Sequence, residues 1–310
     1  MTLSSQFFGQ KILVTGASGF IGAHLCRRLY RDGAEVHAIS RTKHCSDGDG
    51  LYWWQVDMTE TEAIGELVRT IKPDVVFHLA SHVAGARDME LVMPTFRDNL
   101  MSTVNLLTAI SEIGCRRIIL TGSMDEPEPE STPVIPSSPY TAAKWAASAY
   151  ARMFHALYQL PVVILRVFMV YGPAQRDVSK LIPYVILSLL RGEAPKLTSG
   201  KRQVDWIYVQ DVVEGCLAAA QAPDVEGRTI DIGSGELVSI QAILEHLVPL
   251  INPQIKPLFG ALPDRPREQR RVASTANSAV LLGWEPVTPL KEGLKRTVDW
   301  YAQHLRENVL

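Results

Sequence analysis

The stretch Lys11–Leu25, which reads KILVTGASGFIGAHL, constrains the fold of this chain more than any other. A β-rich apolar run, 12–15, leads straight into Gly16, glycines recur at Gly19 and Gly22, and an apolar helical pattern follows at once. A strand that turns sharply into a helix leaves the first N–H groups of the helix unpaired and directed at one spot, which attracts a phosphate. Glycines at a G-x-x-G-x-x-G spacing let the backbone approach that phosphate. Glycines also serve ordinary tight turns, but the strand before them and the helix after them favour a dinucleotide-binding site.

Length, charge and cysteine content exclude several classes of protein. The 310 residues fit one large or two intimately joined domains, and 46% of them are hydrophobic. A net charge of −2 argues against a nucleic-acid binder with a broad basic surface. The chain shows neither a signal peptide nor an apolar run of the ~20 residues that span a membrane. The cysteines are scattered without a C-x-x-C pair, so we expect reduced thiols, no metal site and a cytoplasmic protein; they are Cys26, Cys45, Cys115 and Cys216.

Strand and helix patterns alternate through the first half of the chain. Alternation of this kind predicts parallel pairing with right-handed crossovers. We therefore predict an α/β fold, a doubly wound parallel (Rossmann) sheet with a smaller, mixed α/β C-terminal substrate-binding domain. The dinucleotide-binding domain is placed at 1–172, with 203–234 returning to it, and the substrate domain at 173–202 and 235–310. The predicted strands after the first are 35–40, 51–56, 74–79, 117–121 and 162–168, and the predicted helices include 61–71, 96–113, 138–157 and 179–190.

The end of the second predicted strand bears on the cofactor, because a doubly wound sheet binds its ligand at the carboxyl ends of its strands. A dinucleotide without a 2′-phosphate is usually held there by an acidic side chain on the ribose. This chain has Ser40 and Arg41 instead, and no acid follows until Asp47. A hydroxyl and a bidentate guanidinium suit a 2′-phosphate, so NADP is preferred over NAD. The alternative is a solvated basic loop, which leaves both cofactors open.

A serine, a tyrosine and a lysine form the candidate catalytic group. Tyr140 and Lys144 are four residues apart in a predicted helix, and this spacing puts both on one face. An ammonium near the phenol lowers its pKa, so that the tyrosine can exchange a proton with a sugar hydroxyl or a keto oxygen. Ser123 ends the strand pattern IILTGS and can hydrogen-bond the same oxygen. A Tyr-x-x-x-Lys pair is common by chance, but its place after the fifth strand makes it specific here.

These motifs together resemble the extended short-chain dehydrogenase/reductase family. Within that family the chain is similar to the NAD(P)-dependent epimerase/dehydratase enzymes that act on nucleotide sugars, and the resemblance runs from about Lys11 to about Tyr301. The matching segments are TGASGFIG at 15–22, the strand-end Asp57, HLAS at 78–81, Asn99, TGS at 121–123, YTAAK at 140–144 and RVFMVYGP at 166–173.

The resemblance implies roles for individual residues. Tyr140 would be the general acid and base, Lys144 would hold the nicotinamide ribose, and Ser123 would orient the reacting oxygen. Asp57 and Met58 would meet the adenine. The residues expected to bind the cofactor are Gly16, Ser18, Gly19, Phe20, Ile21, Gly22, Ser40, Arg41, Asp57, Met58, Leu79, Ala80, Ser81, Asn99, Tyr140 and Lys144.

The second half of the chain resembles the part of the family that surrounds the diphosphate of the nucleotide sugar. The segment 201–209 is similar to the family's R-D-F-I-Y-V, and 264–271 is similar to its R-P-G-D segment. Cationic side chains at Lys180, Arg202 and Arg265 would pair with two phosphates; the alternative for each is a surface salt bridge. The residues expected to bind the substrate are His82, Asp125, Met169, Lys180, Leu181, Arg202 and Arg265, although His82 also fits a loop histidine with satisfied hydrogen bonds.

Three departures from the family pattern limit the carry-over of roles. Met169 replaces a common asparagine, and Val204 stands where an arginine often precedes Asp-Phe. Dehydratases of the family place an Asp-Glu pair directly after the serine or threonine, but here the pair, 125–126, is displaced by one residue. Asp125 could act as an acid, although DEPEPE is also a plain acidic loop, which we favour.

Several reactions remain open on the sequence. Hydride transfer at C4 of a nucleotide-linked sugar fits a 4-epimerase, which returns the hydride, or an NADPH-dependent 4-ketoreductase, which consumes it. A 4,6-dehydratase is an alternative, and a non-catalytic dinucleotide-sensing protein is an alternative of another class. We also expect a homodimer in which the helices 96–113 and 138–157 pair with their copies in a four-helix bundle, as is common in the family.

Overall fold

The computed structural model describes residues 7–44, 48, 50–127, 135–264 and 270–307. Within these residues the chain forms ten strands, which are β1 Lys11–Thr15, β2 Glu35–Ser40, β3 Tyr52–Gln55, β4 Val75–His78, β5 Arg117–Ser123, β6 Val162–Val167, β7 Met169–Tyr171, β8 Gln203–Tyr208, β9 Thr229–Ile232 and β10 Leu237–Ser239. The helices are α1 Phe20–Arg31, α2 Thr61–Ile71, α3 Val92–Thr95, α4 Ser102–Ile113, α5 Pro139–Tyr158, α6 Leu181–Leu190, α7 Val209–Gln221, α8 Ile240–Ile251, α9 Thr275–Leu282 and α10 Leu290–Arg306, with a 3₁₀ turn at Met89–Leu91 and a π-helical stretch at Phe96–Met101.

A seven-stranded sheet with the order β3-β2-β1-β4-β5-β6-β9 confirms the predicted doubly wound fold. The strands from β3 to β6 pair in parallel, and Ile12 in β1 lies opposite both Val36 in β2 and Val75 in β4. The order reverses between β1 and β4, and ligands bind at the carboxyl ends of strands at such a switch point. The residues that follow β1, β2 and β4 therefore meet at one edge of the sheet.

The core that packs against this sheet consists of buried apolar side chains. Inward-facing strand residues such as Leu13, Val76 and Ile118 are fully buried against helical residues such as Leu106 and Phe154. Strands of a parallel sheet are covered on both faces, so they read as continuous apolar runs, as the predicted strand patterns did. The rigid sheet fixes where each strand ends, and it thereby positions the side chains that follow the strands.

The single helix predicted at 96–113 is wrong in its first part. Helical structure begins earlier, at Val92, and the segment Phe96–Met101 is π-helical before α4 starts. The hydroxyl of Ser102 donates to the carbonyl of Asp98 at 2.6 Å, and that of Thr103 donates to the carbonyl of Asn99 at 2.6 Å. Side-chain hydroxyls that bond the carbonyl four residues back perturb regular helix, and π-helical turns are frequent at functional sites. The apolar periodicity did not reveal this change of pitch.

The chain divides into two compact units. Unit 1 comprises 1–167, 215–230 and 281–283, and unit 2 comprises 168–214, 231–280 and 284–310. The boundaries of the two functional domains given by the sequence stay a prediction. Unit 2 contains a three-stranded sheet with the order β10-β8-β7, in which β7 and β8 are parallel and β8 and β10 antiparallel. Among the described residues, no helix has the length and apolar character needed to cross a membrane.

The carboxylate of Asp205 organises the loops of unit 2. Its two oxygens accept hydrogen bonds from the backbone N–H groups of Ser234, Gly235 and Ala273 at 2.6 to 3.0 Å, and from the Ser234 hydroxyl at 2.8 Å. A fully buried carboxylate requires such partners, because an unpaired charge is costly to remove from water. Asp205, which lies in the segment 201–209, therefore joins the loops that contain Ser234, Gly235 and Ala273.

Candidate active site

Two glycines where β1 leads into α1, Gly16 and Gly22, have no space for a side chain. Gly16 has a φ of +68°, and a Cβ there would lie 2.7 Å from the backbone N of Ala80. A Cβ on Gly22 would lie 2.1 Å from the carbonyl oxygen of Gly16. The helix begins at Phe20 after the N-cap residue Gly19, whose missing side chain supplies no capping hydrogen bond. The first N–H groups of α1, which include those of Phe20 and Ile21, are therefore available to an anion, and the turn fits a dinucleotide pyrophosphate.

Hydroxyl groups gather at the end of β2. The Ser40 Oγ lies 3.3 Å from Ser18 Oγ, 3.1 Å from Thr42 Oγ1 and 3.2 Å from His44 Nε2. Ser40 is buried, whereas the following Arg41 is exposed. Ser18 and Ser40, both predicted to bind the cofactor, are thus brought together from the turn after β1 and the end of β2.

The guanidinium of Arg41 forms an ion pair with Asp98. Its Nη1 donates to Oδ2 of Asp98 at 2.8 Å, and the same carboxylate oxygen lies 3.5 Å from Nδ1 of His82. Asp98 belongs to the π-helical stretch. No local pattern in the sequence indicates this pair, because 57 residues separate Arg41 from Asp98.

Asp57 and Met58 follow β3, and the resemblance predicts that they contact the adenine of the cofactor. The backbone N–H and the hydroxyl of Thr59 donate to Oδ1 of Asp57 at 2.9 and 2.8 Å. The backbone hydrogen bond is the main cause that lowers the pKa of the Asp57 carboxyl, and the charges of Arg41 and Arg97 act in the same direction. Met58 is buried.

Asn99 fixes the loop that follows β4. Its Oδ1 accepts from the backbone N–H of His82 at 2.6 Å and from the Ser81 hydroxyl at 3.1 Å, while its Nδ2 donates to the His82 carbonyl at 3.2 Å. Leu79 and Ala80 precede this loop, and the backbone N–H of Ala80 donates to Oγ1 of Thr15 at 3.1 Å. The amide of Asn99 therefore holds the backbone that packs against the glycine turn.

A buried histidine, His78, links three elements beneath this loop. Its Nδ1 lies 2.7 Å from Oγ1 of Thr15, and its Nε2 lies 2.9 Å from Oγ1 of Thr103. The Thr103 hydroxyl donates to the carbonyl of Asn99, so its oxygen accepts from Nε2 of His78, which carries a proton. Burial lowers the pKa of His78 to about 3, and the charge of Lys144 adds to that effect. The sequence did not single out His78, which lies inside the HLAS segment.

Tyr140, Ser123 and Ser81 meet at the carboxyl edge of the seven-stranded sheet. The phenol of Tyr140 hydrogen-bonds with the side chains of Ser123, the last residue of β5, and of Ser81. Helix α5 starts immediately before Tyr140, because Ser138 is its N-cap and accepts from the Thr141 N–H at 3.2 Å. Pro139 occupies the first turn of the helix, where a backbone N–H has no acceptor within the helix, so the missing N–H of proline costs nothing.

Lys144 is buried one helical turn further along α5. Its ammonium donates to the carbonyl of Thr121 in β5. Burial lowers the pKa of Lys144 to about 8, and the carboxylate of Glu126 opposes that shift. Burial raises the pKa of Tyr140 to about 12. The charges of Asp125 and Glu126 raise this pKa further, and the hydrogen bond with Ser123 lowers it. The pKa of the phenol is thus raised overall in the protein alone, because burial outweighs the hydrogen bonds that lower it. The effect of the Lys144 ammonium on this pKa stays a prediction.

Glu126 is a member of the site that the sequence missed. Its Oε1 accepts from the backbone N–H of Ser123 at 2.7 Å, and the residue is buried. Burial raises the pKa of Glu126. A Cβ on Gly122 would lie 2.7 Å from that Oε1, so the carboxylate packs directly against the strand. The interpretation of this segment as a solvated acidic loop is wrong for Glu126; Asp125 is half-buried, and its N–H donates to Oγ of Ser123 at 3.3 Å.

The predicted substrate residues of unit 2 lie on three different elements. Met169 begins β7, Leu181 begins α6, and Lys180 is the N-cap residue of α6, with its Nζ 3.6 Å from Oδ2 of Asp177. Arg202 is half-buried and directly precedes β8. Arg265 lies outside the described residues.

Known proteins resemble this chain over nearly its whole length. The human dTDP-D-glucose 4,6-dehydratase is 28% identical over 96% of this chain and 91% of its own length. The crystal structure of UDP-glucose 4-epimerase from Thermotoga maritima with UDP-glucose has a TM-score of 0.86 and 26% identity over 95% of this chain and 99% of that one. The structure of UDP-glucuronic acid 4-epimerase from Bacillus cereus with UDP-glucuronic acid and NAD has a TM-score of 0.83 and 28% identity over 96% and 100%.

A family profile covers most of the chain. The NAD dependent epimerase/dehydratase family matches residues 12–233, a span that runs from β1 through α5 to the end of β9. The matched span contains the glycine turn, Ser123 and Tyr140. The predicted resemblance is thereby confirmed, and the chain belongs to the NAD dependent epimerase/dehydratase family.

Proposed function

We propose that this protein is an enzyme that transfers hydride at C4 of a nucleotide-linked sugar, with 4-epimerisation as its reaction. The observation that carries this proposal is the contact of the Tyr140 phenol with Ser123 and Ser81 at the sheet edge where the glycine turn lies. Relatives whose names state 4-epimerase activity at nucleotide sugars support the choice of reaction.

The chain's own residues supply proton transfer and orientation. Tyr140 exchanges a proton with the C4 oxygen of the sugar, and the Ser123 hydroxyl orients that oxygen. Asn99 keeps Ser81 in place beside the phenol. The Lys144 ammonium, buried and bound to the Thr121 carbonyl, provides a fixed positive charge on the same helical face. A bound nicotinamide dinucleotide supplies the hydride acceptor and donor.

The cofactor is a nicotinamide dinucleotide held by the glycine turn, Ser18, Ser40, Asp57 and the loop after β4. The family is NAD dependent, and a related structure contains NAD. Ser40 and Arg41 offer a hydroxyl and a cationic fork that favour a 2′-phosphate, and hence NADP. Titration of the purified protein with NADH and with NADPH, followed by the fluorescence of the reduced nicotinamide, decides between the two.

The cationic side chains of unit 2 are our proposed ligands of the substrate's diphosphate. Lys180 stands at the first turn of α6, where helix N–H groups add to its attraction for an anion. Arg202 and Arg265 complete the set that the family resemblance implies. Replacing Lys180 by Met should raise the KM for the nucleotide sugar with little effect on the binding of NADH.

A 4,6-dehydratase is a second candidate, because a carboxylate lies near the catalytic phenol. The charge of Asp125 raises the pKa of Tyr140, and the Asp125 N–H contacts Ser123. An acid at this place could remove water from the sugar after oxidation at C4. Asp125→Asn separates the two reactions, since it should abolish dehydration and leave epimerisation nearly intact.

We further propose the homodimer in which the helices 96–113 and 138–157 pair with their copies in a four-helix bundle, with the helical turns at 89–95 next to them. These helices carry exposed apolar side chains, namely Met89 at 82%, Met93 at 59%, Phe96 at 43%, Trp145 at 37% and Tyr150 at 43% exposure. Large exposed apolar side chains on packed helices are typical of an interface. Met93→Glu should convert a dimer to a monomer in analytical ultracentrifugation.

We also propose that the protein is cytoplasmic. Cys115 and Cys216 are thiols, and burial raises the pKa of both to about 12, so they are poorly reactive. Unpaired cysteines fit a reducing compartment. Cell fractionation of the full chain tests this location.

Replacing Tyr140 by Phe tests the enzymatic proposal. The purified protein is mixed with UDP-glucose, UDP-glucuronic acid or dTDP-glucose, and products are separated by chromatography while the absorbance of reduced nicotinamide is followed. Epimerisation gives turnover without net cofactor consumption, whereas a ketoreductase consumes cofactor stoichiometrically. We expect Tyr140→Phe to lose at least a hundredfold in kcat while it still binds NADH.

The matched control is Tyr158→Phe. It removes one hydroxyl from the same helix at a position that is 59% exposed, and it should leave turnover unchanged. Equal turnover of the Tyr140→Phe variant and its control would contradict the catalytic role of Tyr140. A wild type that binds NADH but turns over none of the nucleotide sugars would favour a dinucleotide-sensing protein.

A further inference from the structure

The ion pair between Arg41 and Asp98 passes over the carboxyl end of β1. Arg41 follows β2 directly, and Asp98 lies in the π-helical stretch that is tied to the loop after β4 by the bond between Asn99 and His82. In the sheet β1 lies between β2 and β4. The pair therefore connects the two flanks of the glycine turn, which is where the proposed dinucleotide site lies.

Two carboxylates near Arg41, those of Asp98 and Asp57, weaken the binding of a phosphate to its guanidinium. Asp98 takes one N–H of the guanidinium at 2.8 Å, and the carboxylate of Asp57 lies close enough for the Arg41 charge to lower its pKa. A 2′-phosphate is nearly doubly charged, so it would have to displace one carboxylate from the guanidinium and approach a second. A ribose 2′-hydroxyl meets no such opposition.

We propose that Asp98 is a specificity-determining residue that holds back NADP relative to NAD by occupying the guanidinium of Arg41. This inference rests on the proposed dinucleotide site. An acidic side chain at the end of the second strand usually selects against a 2′-phosphate, but here Ser40 occupies that position. Asp98, from the segment after β4, supplies the carboxylate instead. Ser40 and Arg41 favour NADP, and Asp98 limits that preference.

The size of the effect follows from exposure. The Arg41 side chain is 64% exposed and that of Asp98 is 20% exposed, so solvent screens their attraction. Exposed ion pairs of this kind change an equilibrium by roughly two- to fivefold. We therefore expect Asp98→Asn to tighten the binding of NADPH by roughly two- to fivefold relative to NADH.

A double-mutant cycle tests the mechanism. Dissociation constants of NADPH and NADH are measured by nicotinamide fluorescence for the full-length wild type, Asp98→Asn, Arg41→Ala and the double variant. Competition by adenosine 2′,5′-bisphosphate and by AMP isolates the 2′-phosphate from the rest of the dinucleotide. We expect the gain in NADPH binding to vanish in the Arg41→Ala background, because Asp98 acts through Arg41.

The matched control is Glu112→Gln. It removes one carboxylate and one exposed arginine pair, the 3.2 Å contact with Arg69, from α4. The NADPH-to-NADH ratio of this variant should equal that of the wild type.

The outcomes separate this inference from the proposed function. Equal shifts for both cofactors in Asp98→Asn, or the same shift with Arg41 removed, would overturn the role of Asp98 and leave the dinucleotide site intact. A wild type that binds neither cofactor would overturn the proposed function itself.

Discussion

Acid should destabilise this protein through one buried imidazole, that of His78. His78 is 2% exposed, and its ring lies between the hydroxyls of Thr15 and Thr103, which satisfy both nitrogens of a neutral imidazole, while burial opposes its protonation. The folded protein therefore holds His78 neutral, with a pKa of about 3. In the unfolded chain a histidine has a pKa of about 6.5.

The sign and size of the effect follow from proton linkage. Between pH 6.5 and 3 the unfolded chain binds one proton more than the folded protein, so the free energy of unfolding rises with pH across this window and is level above it. The slope from His78 is at most about 1.4 kcal/mol per pH unit. Acidification from pH 6.5 to 5 should thus remove up to about 2 kcal/mol of stability.

Urea unfolding followed by far-UV circular dichroism at several pH values measures this slope. His78→Gln keeps an amide that can donate to Thr103 but cannot be protonated. Its stability at pH 7 should be lower, because Thr15 loses its acceptor, whereas its pH slope between 6.5 and 5 should be smaller by about one proton. His246→Gln, on α8, is the control. Identical slopes in the wild type and in His78→Gln would refute the neutral, hydrogen-bonded imidazole.

Two further predictions concern the glycine turn and the buried acid. Gly16→Ala should abolish cofactor binding and lower stability by at least about 2 kcal/mol, because its Cβ would lie 2.7 Å from Ala80 N; Gly114→Ala, with a φ of +75° and nothing within 4 Å, isolates the backbone cost in thermal unfolding. Glu126→Gln keeps an acceptor for the Ser123 N–H but removes a charge that raises the pKa values of the catalytic phenol and ammonium. Its pH–rate profile should therefore move to lower pH, and an unmoved profile would show that Glu126 acts only in packing.

Local pattern in the sequence was enough for the framework of the site. The run into Gly16, the i,i+4 spacing of Tyr140 and Lys144, and the strand that ends at Ser123 depend on neighbours only a few residues away. Strand and helix periodicities are properties of such short windows. The alternation of strands and helices then fixed the class of sheet, because crossovers between parallel strands have one hand.

Tertiary structure alone decided how the charges of the site are balanced. The pair of Arg41 with Asp98, the burial of Glu126 under Gly122 and the neutral state of His78 all depend on which strands become neighbours. Asp98 reaches Arg41 because β1 alone separates β2 from β4, and no short window of sequence encodes that order. The pKa of Tyr140 rises for the same reason, since desolvation is set by everything that packs around the phenol and not by the lysine four residues away.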